Sequence, residues 1–294
     1  MSAKDSTLIK VIQEADLGRR GLVKEIQDHL QNVKKTQLRA LSYMARFDIP
    51  AGNIISQDGI LFREALKQME NPENLALVIH SPGGIIEATE KIGLLIREHV
   101  KQLIIIIPDA AKSAATMLAL LANEIQMSDL SELGPIDPNI VVGIDPNTGM
   151  PIFRPAWSII NAPIHLEGLW KRRGLDPNIV AVLARSFDPS LLDVAQNALD
   201  LATTIAETWL SKYMGIPPAD AKTIAQNLSD ASRYHSHGRP IRLPEAQQLK
   251  LKAVKMDTVV EELSFELYLR SLRYLRERRV KVVDWDSGGL AADI

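Results

Sequence analysis

LALVIHSPGG at residues 75–84 and LIIIIPDAAKSAATM at residues 103–117 decide the fold of this chain. Each stretch begins with a continuous apolar run, which is typical of a strand buried on both faces of a parallel sheet. A helix-like stretch separates the two, another follows the second, and a further strand is indicated at residues 124–127. We therefore predict an α/β fold with a parallel sheet, flanking helices and right-handed crossovers.

The two turns that end these strands contain the candidate functional residues. Gly83 and Gly84 let the backbone approach a ligand closely, because neither residue has a side chain. Ser113 lies between small residues at the start of the next helix. The structural alternatives are a tight strand-to-helix turn for the glycines and an N-cap for the serine. Since ligands bind at the carboxyl ends of parallel strands, both turns are expected on one sheet edge.

Composition narrows the class of protein. The chain has 294 residues, 46% hydrophobic and 24% charged, with a net charge of -2 and no cysteine. Disulfides, thiolate metal sites and a cysteine nucleophile are therefore excluded, and no global charge favours nucleic acid. The first thirty residues mix charges with short apolar runs, which argues against a signal peptide and favours a cytoplasmic protein.

Three regions are predicted along the chain. Residues 1–48 form an N-terminal amphipathic helical arm, residues 49–255 the catalytic domain, and residues 256–294 a C-terminal helix with a loose tail. Residues 139–154 read as a hairpin, followed by a mostly helical region. The arm is interpreted as an assembly element, with peripheral membrane contact as an alternative.

Four motifs resemble those of the Clp-fold serine peptidases, and of the serine dehydrogenase proteinase family in particular. They are His80-Ser81-Pro82-Gly83-Gly84, Lys112-Ser113-Ala114-Ala115-Thr116, Leu133-Gly134-Pro135-Ile136-Asp137-Pro138 and His237-Gly238-Arg239-Pro240-Ile241. The resemblance spans roughly residues 50–250 and also extends to signal-peptide peptidase A and the Clp proteolytic subunit. It implies a Clp/crotonase-like α/β spiral, a homo-oligomer and a peptide or protein substrate.

The resemblance also implies site residues. Ser113 would be the nucleophile, and the N–H groups of Gly84 and Ala114 would form the oxyanion hole, where helix N-termini leave donors unpaired. Gly83 and Pro135 would contact substrate. No metal and no cofactor is expected.

The general base is less decided by the sequence. Relative to the Clp proteolytic subunit, a histidine and an aspartate appear at exchanged positions, as His237 and Asp137. We hypothesise a triad of Ser113, His237 and Asp137, recognised by role rather than chain order. The alternatives are a loop-bracing role for His237, a turn-capping role for Asp137 and His235 as the base. His80 is interpreted as structural.

A lysine base is the other option, since some relatives use one. The matching stretch offers Arg185, which stays protonated and is a poor base. Lys171 and Lys112 remain as candidates, although Lys112 adjoins Ser113 and is expected to point elsewhere. Two further functions stay open: an acyl-CoA or thioester acyl-transfer enzyme, and a non-catalytic peptide-binding scaffold.

Overall fold

The structure is a computed structural model that describes residues 10–13, 16–147, 149, 151–185, 188–275 and 279–293. Within them, eight strands form one sheet in the order β1-β12-β11-β2-β3-β4-β6-β10. The strands of this sheet are β1 (Lys10–Gln13), β2 (Arg39–Ala45), β3 (Asn74–His80), β4 (Gln102–Ile107), β6 (Glu124–Met127), β10 (Ala253–Lys255), β11 (Arg279–Trp285) and β12 (Gly288–Asp293). Two small pairs are added by β5 (Ala110–Ala111) with β7 (Glu132–Leu133), and β8 (Asn139–Ile144) with β9 (Pro151–Pro155).

The helices cover both faces of the sheet. They are α1 (Leu17–Lys34), α2 (Asp58–Gln68), α3 (Ile86–His99), α4 (Ala114–Leu120), α5 (Ala156–Arg173), α6 (Pro177–Arg185), α7 (Ser190–Lys212), α8 (Pro218–Ser229), α9 (Ala231–Tyr234), α10 (Leu243–Gln248) and α11 (Thr258–Tyr274), with a 3-10 turn at Pro50–Gly52. The predicted hairpin at residues 139–154 and the helical region after it are confirmed.

Strand β3 shows why the sheet is built as the sequence predicts. Leu75, Leu77 and Ile79 pack in one buried cluster with residues of α2, α3, α4 and α7. Ala76 and Val78 pack in a second cluster with residues of α1 and α11. Since side chains alternate along a strand, a strand with two buried faces must be apolar throughout. The strands β2, β3, β4, β6 and β10 run parallel, which confirms the predicted α/β fold class.

Residues 5–47 of the N-terminal arm are predicted to be helical. The structure differs from this prediction, because the arm also contains strands. Among the described residues of this arm, only α1 is a helix, because residues 10–13 and 39–45 form β1 and β2. β2 lies between β3 and β11 in the sheet, and its residues 40–45 are all buried, which places both of its faces in the core. A short apolar run of this kind has no periodicity that separates a buried strand from a buried helix. Residues 1–9 of the predicted arm lie outside the described residues.

The predicted loose tail at residues 286–294 is also wrong over its described part. Residues 288–293 form β12, which pairs antiparallel with β11 and with β1. Their small side chains gave little hydrophobic signal, yet Leu290, Ala291 and Ala292 are buried. Segments from all three predicted regions therefore share one sheet. None of the described helices is long and apolar enough to cross a membrane.

A buried ion pair fixes α1 to this sheet. Arg19 Nε donates to Asp284 Oδ2 on β11 at 2.9 Å, and the two side chains are 1% and 0% exposed. The Arg19 guanidinium also stacks over the Tyr274 ring at 3.9 Å. Removing one member of a buried pair leaves a charge without compensation, which is strongly destabilising.

We expect Arg19→Met to lower the free energy of unfolding by about 3–5 kcal/mol, the usual cost of breaking a buried pair. Lys24→Met on the same helix breaks the exposed pair with Asp28 and should cost less than about 1 kcal/mol. Urea denaturation followed by circular dichroism measures both. Equal losses for the two variants would contradict the structural role of the buried pair.

Candidate active site

Ser113 sits at a strained turn between β5 and α4. Its backbone has φ 52° and ψ -119°, a conformation that a residue with a side chain rarely adopts. It occupies the N-cap position of α4, but its side chain makes no capping hydrogen bond. The structural alternative for this serine is therefore not realised. Such strain, held in place by surrounding structure, is concentrated at functional sites.

The turn after β3 is joined directly to the turn that carries Ser113. Ser81 N donates to Ala110 O, and Lys112 N donates to Ser81 O, both at 3.0 Å. The two predicted turns thus lie on one edge of the sheet, as expected. Gly83 is packed so tightly that an added Cβ would lie 2.8 Å from Ser113 Cβ and 2.9 Å from Ala114 N. With φ at +96° as well, this position requires glycine.

Two backbone N–H groups remain available at this junction. Within the described residues, neither the Gly84 N–H nor the Ala114 N–H has a hydrogen-bond acceptor. The carbonyl of Gly83 is occupied, because it accepts from Ile54 N at 2.7 Å. Ala114 begins α4, where the first N–H groups of a helix lack intrahelical partners. These are the two donors that the sequence motifs predict.

Asp137 and His237 meet although they are 100 residues apart. His237 Nδ1 lies 2.9 Å from Asp137 Oδ1, and the aspartate side chain is fully buried. Reciprocal backbone hydrogen bonds between Leu133 and Ile241, at 2.9 and 3.0 Å, bring the two loops together. The other carboxylate oxygen of Asp137 is buried, and the described part of the chain offers it no partner.

One cavity of about 580 Å³ joins these groups. Ser113, Gly84 and His237 all line it. Its remaining wall is mainly apolar and is formed by Pro50, Asn53, Ile55, Pro82, Ile85, Ile86, Glu87, Met117, Ile136, Pro138, Asn139, Ile140, Val141, Phe153 and Ala198. Gly83 and Pro135, predicted to contact substrate, are both buried and do not line the cavity.

The competing bases are placed elsewhere. His235 is exposed and does not line the cavity, and Lys171 on α5 pairs with Glu167 at 2.5 Å. Lys112 is engaged in an ion pair, since its Nζ lies 2.9 Å from Glu132 Oε1. Arg185 ends α6 and is exposed.

His80 faces a different cavity from Ser113. Its Nδ1 lies 3.3 Å from Asp109 Oδ2, and its ring packs against Phe47 and Tyr268. The neighbouring imidazole lowers the pKa of Asp109 below its usual value. This placement fits the structural role predicted for His80. No group of three or more metal-ligating side chains occurs among the residues that the structure describes.

One polar cluster next to the cavity is not predicted by the sequence motifs. Lys281 on β11 is fully buried, and its Nζ lies 2.7 and 2.9 Å from the two carboxylate oxygens of Asp58. Asp58 Oδ2 also accepts from the Tyr43 hydroxyl at 3.2 Å. Burial is the main cause that raises the pKa of Asp58 and lowers that of Lys281. The signal that could have revealed the cluster is a lone lysine inside the apolar run of residues 280–283.

Comparisons with known proteins agree with the sequence motifs. The model of the family described as ClpP-like SDH-type serine proteinases matches residues 11–150. An uncharacterized protein of Methanocaldococcus jannaschii is 25% identical over 267 residues, which cover 89% of this chain and 82% of the relative. A second uncharacterized protein of that organism is 42% identical over 199 residues, which cover 67% of this chain but only 57% of the relative.

The comparison with solved structures found two of a protease that are similar to this chain. Both are mutants of the 1510-N membrane-bound stomatin-specific protease. The one in complex with a substrate peptide has a TM-score of 0.43 and 18% identity, over 70% of this chain and 72% of that chain. The other has a TM-score of 0.42 and 16% identity, over 78% of this chain and 82% of that chain.

The family match includes the first three predicted motifs, while the His237 motif lies beyond it. Residues 11–150 are therefore similar to the ClpP-like SDH-type serine proteinases.

Proposed function

We propose that this protein is a serine peptidase that hydrolyses peptide bonds through an acyl-enzyme on Ser113. One observation carries the proposal. Ser113 has a strained backbone and a side chain that makes no capping hydrogen bond, and it lines the same cavity as His237. His237 is itself paired with the buried Asp137. A nucleophile, a base and a group that orients the base are the three parts of a serine triad.

His237 acts as the general base. Its Nδ1 is engaged by Asp137, which leaves Nε2 as the nitrogen that takes the Ser113 proton. The Ser113 hydroxyl makes no hydrogen bond within the described residues, and such contacts often form only when substrate binds. Asp137 is buried with one partner, so it favours the positive charge that develops on His237.

The reaction proceeds in two stages, which are acylation of Ser113 and hydrolysis of the resulting ester. Ser113 Oγ attacks the scissile carbonyl carbon while its proton passes to His237, and the oxyanion accepts from the Gly84 and Ala114 N–H groups. The carbon–nitrogen bond then breaks, and His237 returns the proton to the leaving amine. Water repeats the sequence on the ester, which releases the acid and restores the Ser113 hydroxyl.

The cavity favours apolar substrate side chains. Its wall is rich in Ile, Val, Met and Phe, and Glu87 adds a carboxylate that repels acidic residues. An extended peptide with a large aliphatic or aromatic residue at the scissile bond would bury that side chain there. Burial of one such side chain stabilises binding by about 1.5–3 kcal/mol.

Ser113→Ala should abolish labelling by a fluorophosphonate probe and reduce peptide hydrolysis to background, because it removes the nucleophile. The matched control is Ser287→Ala, which changes an exposed serine in the turn between β11 and β12. Intact-mass spectrometry of the folded proteins measures labelling. Persistent labelling of Ser113→Ala would contradict the assignment of the nucleophile.

His237→Ala should lower kcat by about 10²–10⁴, the usual contribution of a general base. Asp137→Asn should lower it over a similar range, because it no longer orients the imidazole. His235→Ala, two residues away and exposed, should leave kcat within twofold of the original. Steady-state hydrolysis at neutral pH compares the three, and a larger loss for His235→Ala than for His237→Ala would overturn the choice of base.

Peptides that differ only at the scissile residue should be cleaved with kcat/KM about 10- to 100-fold higher for Leu or Phe than for Asp, by the burial energy of the apolar side chain. Phe153→Asp places a charge on the wall and should reduce this preference. Ile179→Asp changes an equally exposed apolar residue on α6 and should not. A flat preference in the unmodified protein would argue against this substrate class.

A further inference from the structure

The segment of residues 53–55 holds the Gly83–Gly84 peptide in place. Ile54 N donates to Gly83 O at 2.7 Å, and Ile85 N donates to Ile54 O at 2.9 Å. The described residues contain no cis peptide bond, so the C=O and N–H of the Gly83–Gly84 peptide point in opposite directions. Because the Gly83 carbonyl is held by Ile54 N, the Gly84 N–H points away from residues 53–55.

The same segment is held from behind by the buried cluster. Lys281 Nζ donates to Asn53 O at 2.7 Å, and Asp58 Oδ2 accepts from Ile55 N at 2.8 Å. With the two contacts to Asp58, all three protons of the Lys281 ammonium have an acceptor. Asn53 and Ile55 line the cavity themselves, on either side of the residue that binds Gly83.

We propose that the buried pair of Lys281 and Asp58 is a positioning device for the oxyanion hole: it clamps residues 53–55 against the Gly83–Gly84 turn and so aims the Gly84 N–H. This inference rests on the proposed peptidase function. The two residues touch neither substrate nor the reacting atoms, and they act on the reaction only through the backbone of the segment. The pair also joins the site to β11, a strand from the C-terminal end of the chain.

The second buried pair in this sheet supplies a matched control. Asp284 lies on β11 three residues after Lys281, so the alternation of a strand directs the two side chains to opposite faces. Arg19 and Asp284 instead tie α1 to the sheet, through the hydrogen bond from Arg19 Nε to Asp284 Oδ2 at 2.9 Å. Breaking this pair removes comparable buried charge without touching the oxyanion turn.

The test compares Lys281→Met with Arg19→Met in the full chain. For Lys281→Met we expect kcat to fall roughly 10- to 100-fold with KM nearly unchanged, somewhat less than the 10²–10³ lost when an oxyanion donor is deleted. A peptide aldehyde, whose adduct carries the oxyanion, should lose affinity by the same factor as kcat/KM. Arg19→Met should lower the melting temperature. In the folded Arg19→Met protein, kcat and the affinity for the aldehyde should stay within twofold of the unmodified protein.

A second variant guards against failure to fold. Lys281→Met combined with Asp58→Asn removes both charges, while the amide oxygen can still accept from Ile55 N. Full kcat and aldehyde affinity in either folded variant would overturn the proposal. An unmodified protein that neither reacts with a fluorophosphonate nor cleaves peptides would instead refute the proposed function, so the two failures are distinguishable.

Discussion

The close approach of two backbone turns is the constraint on which the site depends. Gly83 meets Ser113 and Ala114 at distances that leave no room for a Cβ. Because the turns follow neighbouring parallel strands, the hydrogen bonds of Ser81 with Ala110 and Lys112 continue the sheet up to the site. The sheet therefore fixes Ser113 and the N–H groups of Gly84 and Ala114 relative to one another. Preorganisation of this kind is the main source of electrostatic stabilisation in acyl transfer.

The sequence was sufficient to predict that these two turns lie together, because the features that indicate each turn are local in the sequence. Two apolar runs, a glycine pair and a serine after small residues each lie within a dozen positions, and the rule for parallel strands places them on one edge. The pairing of His237 with Asp137 is different, since it depends on loops 100 residues apart. The pairing is predicted only through the family motifs. Its geometry depends on the reciprocal backbone hydrogen bonds between Leu133 and Ile241.

The parts that the sequence did not predict share a physical cause. β2, β11 and β12 are buried strands whose apolar residues carry no distinctive period, and β12 is built largely from glycine and alanine. Their partners are set by long-range pairing of the N-terminal and C-terminal regions. Lys281 was missed for the same reason, because its acceptors on Asn53 and Asp58 lie more than 200 residues away in sequence.

The placement of these late strands gives the site a dependence on both ends of the chain. β11 pairs with β2 on one side, and β2 pairs with β3, the strand that ends before the Gly83–Gly84 turn. Lys281 adds a side-chain connection from β11 to the segment that binds Gly83. A charge buried in a strand is costly unless it is fully paired, and here every proton of the ammonium is paired within one cluster. Such a cluster tolerates one arrangement of its neighbours, which is the property required of a scaffold that must hold a backbone N–H in a fixed direction.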